Sequence, residues 1–98
     1  MAKLESKFQK ELMDEIRERY PGCMILKNDS SYIQGIPDWT ILYKDKWVAV
    51  EAKQSKNARK RPNQDYYIDK LNDMSCAMFA YPENKEDVLY AIQQTFES

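Results

Sequence analysis

Asp38, Glu51 and Lys53 are the residues of this 98-residue chain whose types and spacing could do chemistry. The runs DWTILY (38–43) and KWVAVEAK (46–53) are β-rich and separated by Lys44-Asp45, which reads as a hairpin. With a loop of two residues (44–45) or four (43–46), paired positions sum to 89, which sets Leu42 opposite Trp47, Thr40 opposite Ala49 and Asp38 opposite Glu51. Directly opposed residues point to one face with Cβ atoms about 5 Å apart. Lys53, two residues beyond Glu51, shares that face. Two carboxylates at such a distance repel unless a positive charge lies between them. Lys53 can partly serve, and a hard divalent cation such as Mg²⁺ fits better. A bulge or a three-residue loop would shift the register and undo this. The alternative is a surface ion-pair cluster on a solvated sheet. Against it, strand positions 47–50 (WVAV) are apolar on both faces, so the sheet is buried and its charges need a reason.

A further acid lies in the first helix. Leu4, Phe8, Leu12, Met13, Ile16 and Tyr20 define an apolar face whose mean direction falls within about 5° of Glu5, whereas Glu15 is roughly 80° away and Glu11 and Glu18 are further round. A buried carboxylate is costly without a partner. The other reading is a frayed, exposed Glu5 that favours the helix dipole. Beyond Glu51, the run KQSKNARKR (53–61) holds five positive charges and no negative one. It is either a solvated loop or a phosphate-binding patch, and the acidic pair leads straight into it.

Composition narrows the chemistry. No histidine is present, which excludes Ser-His-Asp and Cys-His catalysis, His-ligated zinc and a histidine general base. Carboxylates, lysines, tyrosines or an oxygen-bound metal remain. The net charge of −1 argues against a nucleic-acid binder only until the basic run is set beside the acidic C-terminal stretch 82–98. Cys23 and Cys76 lie 53 positions apart in apolar runs, which suggests two buried thiols in a reducing cytosol. No apolar stretch approaches membrane-spanning length, and MAKLESK lacks the apolar core of a signal peptide, so a cytoplasmic domain is expected.

These residues need a scaffold, and one domain is all the length allows (1–98). The periodicity predicts a helix over 4–20 stopped by Pro21-Gly22, a strand over 23–27, a loop over 28–35 and the hairpin strands 38–43 and 46–53. A second helix is expected from Pro62 to about Met74 with Tyr67, Ile68 and Leu71 inward, then a strand over 76–81. A last helix over 83–96 would bury Val88, Leu89, Ile92 and Phe96. The order α-β-β-β-α-β-α is that of an α/β domain, a mixed sheet with helices against it.

Gly35-Ile36-Pro37-Asp38, twelve intervening residues, then Glu51-Ala52-Lys53 resembles the PD-(D/E)XK nuclease signature. With the early helix glutamate, GIPD, a hydrophobic strand ending in EAK, a basic loop and PNQ opening a helix, residues 4–92 resemble the VRR-NUC family in its compact stand-alone form of phage and bacterial origin. Ser75 departs from it, since glycine is expected in the turn before the last strand.

The resemblance implies a restriction-endonuclease-like core and a division of labour. Asp38, Glu51 and the backbone carbonyl of Ala52 would hold one Mg²⁺ or Mn²⁺, and Glu5 would help hold that ion or a second. Lys53 would activate the attacking water, and Gln64 would contact the scissile backbone or a metal-bound water. Lys56, Arg59, Lys60 and Arg61 would meet flanking phosphates, and Tyr66 is the better placed of two tyrosines to stack on unpaired bases. The expected activity is a metal-dependent DNA endonuclease acting on branched DNA as a homodimer, in the manner of a Holliday-junction resolvase. The alternatives are a flap, nick or duplex endonuclease, a non-catalytic DNA-binding nuclease-fold subunit, and a structural interaction domain.

Overall fold

The computed structural model describes residues 2–98, with side chains from residue 7 onward. Its elements follow the order α1 (Ala2–Arg19), β1 (Met24–Lys27), β2 (Trp39–Tyr43), β3 (Lys46–Ala52), α2 (Gln64–Met74), β4 (Ala77–Ala80) and α3 (Lys85–Phe96), with a short 3₁₀ turn (Pro82–Asn84) leading into α3. This is the expected α-β-β-β-α-β-α order. The four strands form one sheet in the order β1-β2-β3-β4. The first three are antiparallel neighbours, and β4 lies parallel to β3. A parallel neighbour cannot be reached by a tight turn, so α2 serves as the crossover.

Strand alternation assigns the two faces. Ile41, Val48, Val50 and Ala52 point to one side, where Phe8, Leu12 and Ile16 of α1 and Val88, Leu89, Ile92 and Phe96 of α3 close over them. Fully burying each such aliphatic side chain stabilises the fold by about 1.5–3 kcal/mol, so this layer carries most of the core. The other face is thinner. Ile68 of α2 packs on Ala49 and Ala77, joined by the half-buried Trp47, Leu71 and Phe79. Small residues on β3 and β4 let α2 approach closely, and α2 covers only that half of the sheet.

Three local departures have physical causes. α2 starts at Gln64, not Pro62, because Asn63 takes a left-handed conformation (φ 70) and interrupts the helix before it can begin. Cys23 is half-buried and Cys76 buried, so only one thiol is fully in the core, and both are free. Ser75 needs no glycine, because its φ is −151 and its hydroxyl donates to the Trp47 carbonyl at 2.6 Å, tying the end of α2 to the start of β3. Among the described residues no helix is long and apolar enough to cross a membrane.

Candidate active site

The hairpin brings the first acidic pair together. Cα partners from Trp39↔Val50 to Tyr43↔Lys46 all obey the sum of 89, with Lys44 absorbing the turn at φ 57. Asp38 stands just before β2 and Glu51 near the end of β3, on the α2 face. The ladder is closed there by a side chain, since the Asp38 N–H donates to Glu51 Oε1 at 3.1 Å.

Burial sets the electrostatics. Glu51 is only 4% exposed, and its carboxyl is pushed up to about 7, first by burial and then by the charge of Asp38. Lys53, with Nζ 3.9 Å from Glu51 Oε2, and the Asp38 N–H pull it back only in part. A carboxylate held towards its protonated form beside another acid is a site short of positive charge. A divalent cation would supply that charge, and two hard oxygen donors are of the type that suits Mg²⁺ or Mn²⁺. Among the described residues no third acidic side chain comes close enough to form a metal-holding cluster with them, although Asp29 also lines the cavity. Glu5 lies outside the described side chains. Its helix does reach the site, because Gln9, one turn further on, lines the cavity of about 330 Å³ that contains Asp38, Glu51 and Lys53.

Lys53 is buried and oriented. Its Nζ donates to Gln64 Oε1 at 2.7 Å and to the Arg59 carbonyl at 3.3 Å. Gln64 Oε1 also accepts from the Arg61 N–H at 2.9 Å, so one buried amide ties the lysine, the basic loop and the first turn of α2 together. Ala52 is fully buried opposite Ala80 of β4, and the next N–H, that of Lys53, donates to the Ala80 carbonyl at 2.7 Å.

A glycine sets the spacing of the two halves. Gly35 is buried at φ 94, and a Cβ there would stand 2.6 Å from Asn63 Cβ and 2.7 Å from its carbonyl carbon. The loop that delivers Asp38 therefore rests directly on the residue that precedes Gln64.

The basic run divides. Lys60 is internally committed, 3.0 Å from Asp65 and 4.4 Å above the Phe79 ring. Lys56, Arg59 and Arg61 are exposed, with no ion pair among the described residues, and Arg61 lines the cavity that holds Asp38, Glu51 and Lys53. Tyr66 is 58% exposed and meets the half-buried Tyr67 edge-on. Sequence reasoning missed Lys27, Asn28 and Gln9. Lys27 Nζ lies 3.7 Å from Asp38 and 4.5 Å above the Trp39 ring. Asn28 donates to the Pro37 carbonyl and to Thr40 Oγ1, which fixes the peptide leading to Asp38. Both become visible only once β1 is known to flank β2.

A solved structure named "VRR_NUC domain protein" has a similar fold, with a TM-score of 0.66 and 21% sequence identity over 95% of this chain and 88% of that one. The likeness first drawn from GIPD and EAK thus extends to the fold. No protein-family profile and no curated protein matches the chain.

Proposed function

We propose that this chain is a metal-dependent endonuclease that hydrolyses DNA phosphodiester bonds. The observation that carries the reading is the pairing of Asp38 with a buried Glu51 on one sheet face, with Lys53 fixed beside them by Gln64. Asp38, Glu51 and the Ala52 carbonyl would hold Mg²⁺ or Mn²⁺, with Glu5 as a further candidate donor. When bound, such an ion lowers the pKa of water and offsets charge on the phosphate. Lys53 directs an N–H at the attacking water or the phosphate oxygen that gains charge. Gln64 keeps that ammonium from swinging away, and Lys27 holds the Asp38 carboxylate from the β1 side. Arg61, at the rim, and Arg59 and Lys56 beyond it would take flanking phosphates, which contributes affinity more than sequence preference.

The proposed substrate is branched DNA, cut by a homodimer. The molecule measures 32 × 26 × 21 Å, no longer than about one helical turn of duplex, so one copy offers one site to one strand. Edge strand β1, where Met24 is 59% and Leu26 40% exposed, is a surface a second copy would cover. The proposal places the reaction in the cytoplasm of a bacterial or phage-infected cell, which the two free thiols suit.

The test compares a four-way junction, a flap, a nicked duplex and an intact duplex at one salt concentration with Mg²⁺ or Mn²⁺. Preferred cutting of the junction, with paired incisions from a species of dimer mass, is the expected outcome. A preference for the flap or duplex would move the substrate but not the chemistry. Binding without cutting on all four would favour the non-catalytic reading.

A further inference from the structure

Next to the catalytic cavity lies a second one of different character. It encloses about 480 Å³ between the 28–36 loop and α2, on the half of the sheet that α2 leaves open. Its walls are Tyr32, Ile33, Ile36, Trp47 and Leu71, with Thr40 and Ala49 as the floor. Asn28 and Asp29 line both this pocket and the catalytic cavity, so the two adjoin at that edge.

Charge separates what each can take. In the catalytic cavity Lys27, Lys53 and Arg61 offset Asp29, Asp38 and Glu51. Among the described residues the second pocket has no cation in its lining, and Asp29 is its one charged side chain. A phosphate would be repelled there, whereas a flat, neutral, largely apolar group would be accepted. Tyr32 is 85% exposed and Ile33 37%, so neither is explained by the core. The Asp29 carboxylate is held by the Ser31 hydroxyl and N–H, at 2.6 and 2.9 Å, which leaves acceptor capacity for an amino group. The volume falls in the range of pockets that bind small organic groups, roughly 300–1,000 Å³.

We infer that this pocket receives an unpaired nucleobase of the strand being cut, adjacent to the scissile phosphate, with Tyr32 as its stacking surface and Asp29 accepting from its edge. The inference rests on the nuclease reading and narrows its substrate to DNA that offers an unpaired nucleotide beside the cut. In a closed duplex the base would first have to leave its stack, at a cost of about a few kcal/mol. A branch point or flap offers it at less cost.

The experiment measures binding, not cutting. Anisotropy titrations with Ca²⁺ replacing Mg²⁺ compare a duplex with the same duplex carrying a short unpaired flap, and 2-aminopurine at the first unpaired position reports stacking. The wild-type protein should bind the flapped DNA roughly tenfold or more tighter and quench the probe, as expected for one base–aromatic stack. Tyr32→Ala and Ile33→Asp, both at exposed positions, should each remove the preference while leaving duplex affinity unchanged. Retention of the preference in both variants would overturn the inference. So would equal wild-type binding of the two DNAs, with the nuclease reading still standing. Absence of binding to any DNA would remove the nuclease reading itself, and this inference with it. A fall from dimer to monomer mass in Tyr32→Ala would instead assign the pocket to a second copy of the chain.

Discussion

Glu51 has a carboxyl that burial and Asp38 raise from an ordinary 4.5 to about 7. A raised acid in the folded state means that the proton favours folding. Glu51 therefore contributes stability that is fully present below about pH 4.5 and lost as pH rises through 7. For the metal-free protein the loss is on the order of 3 kcal/mol. Glu51→Gln, a neutral isostere, should escape it. In EDTA the variant should unfold at higher denaturant than wild type at pH 8, and the two should converge near pH 4. A constant difference between the two curves from pH 4 to 8 would refute the assignment of strain to this pair. Neighbouring Lys53 is held in place by Gln64 and the Arg59 carbonyl as well as by its charge. Lysine to alanine there should therefore abolish cutting while leaving DNA binding largely intact.

Among the elements, the loop that leads to Asp38 meets the start of α2 in a close backbone contact at Gly35. Gly35→Ala would force a Cβ into Asn63 at 2.6 Å and strain a backbone at φ 94. The expected cost is about 1–3 kcal/mol of stability, read by thermal or denaturant unfolding. Asn63→Gly, which removes the Cβ and accepts φ 70 readily, should be tolerated and should partly rescue the alanine variant. In the basic loop, Arg59→Ala and Arg61→Ala should each lower the slope of log affinity against log salt by about one. Lys60→Ala should lower it less, because Asp65 and Phe79 already hold that ammonium. Equal slopes in all three variants would return the run to the status of solvated loop.

These joints also mark how far the sequence could be read. The Asp38–Glu51 pairing was legible because a two-residue hairpin fixes register locally, and WVAV placed it in a buried sheet. The faces of α1 and α3 followed from a 3.6-residue period, and Phe8, Leu12, Ile16, Val88, Leu89, Ile92 and Phe96 are where that period puts them. Lys27 beside Asp38 was not legible, since it depends on β1 pairing across a loop whose residues carry no periodic signal. Nor was the left-handed Asn63, because Pro62 is as well suited to open a helix as to precede a break. Gln64 was singled out by resemblance, yet its double acceptance from Lys53 and the Arg61 N–H needed the fold.

At the scale of the whole molecule, a radius of gyration of 12.6 Å leaves little surface beyond the site and its surroundings. Among the described residues Lys56, Arg59 and Arg61 are exposed and without ion pairs, Arg61 lines the cavity that holds Asp38 and Glu51, and the net charge of −1 hides them. The proposed dimer follows from the same smallness, and sedimentation of the wild-type chain at micromolar concentration should give twice the 11.7 kDa monomer mass. The central claim is that Asp38, with Glu51 and a divalent cation, cuts DNA. The most direct measurement is cleavage of a labelled four-way junction by wild type and by Asp38→Ala, each with Mg²⁺ and with EDTA. The account predicts cutting by wild type with Mg²⁺ alone, lost with EDTA and reduced by at least about 100-fold in the variant. Cutting that survives both the chelator and the substitution would contradict it.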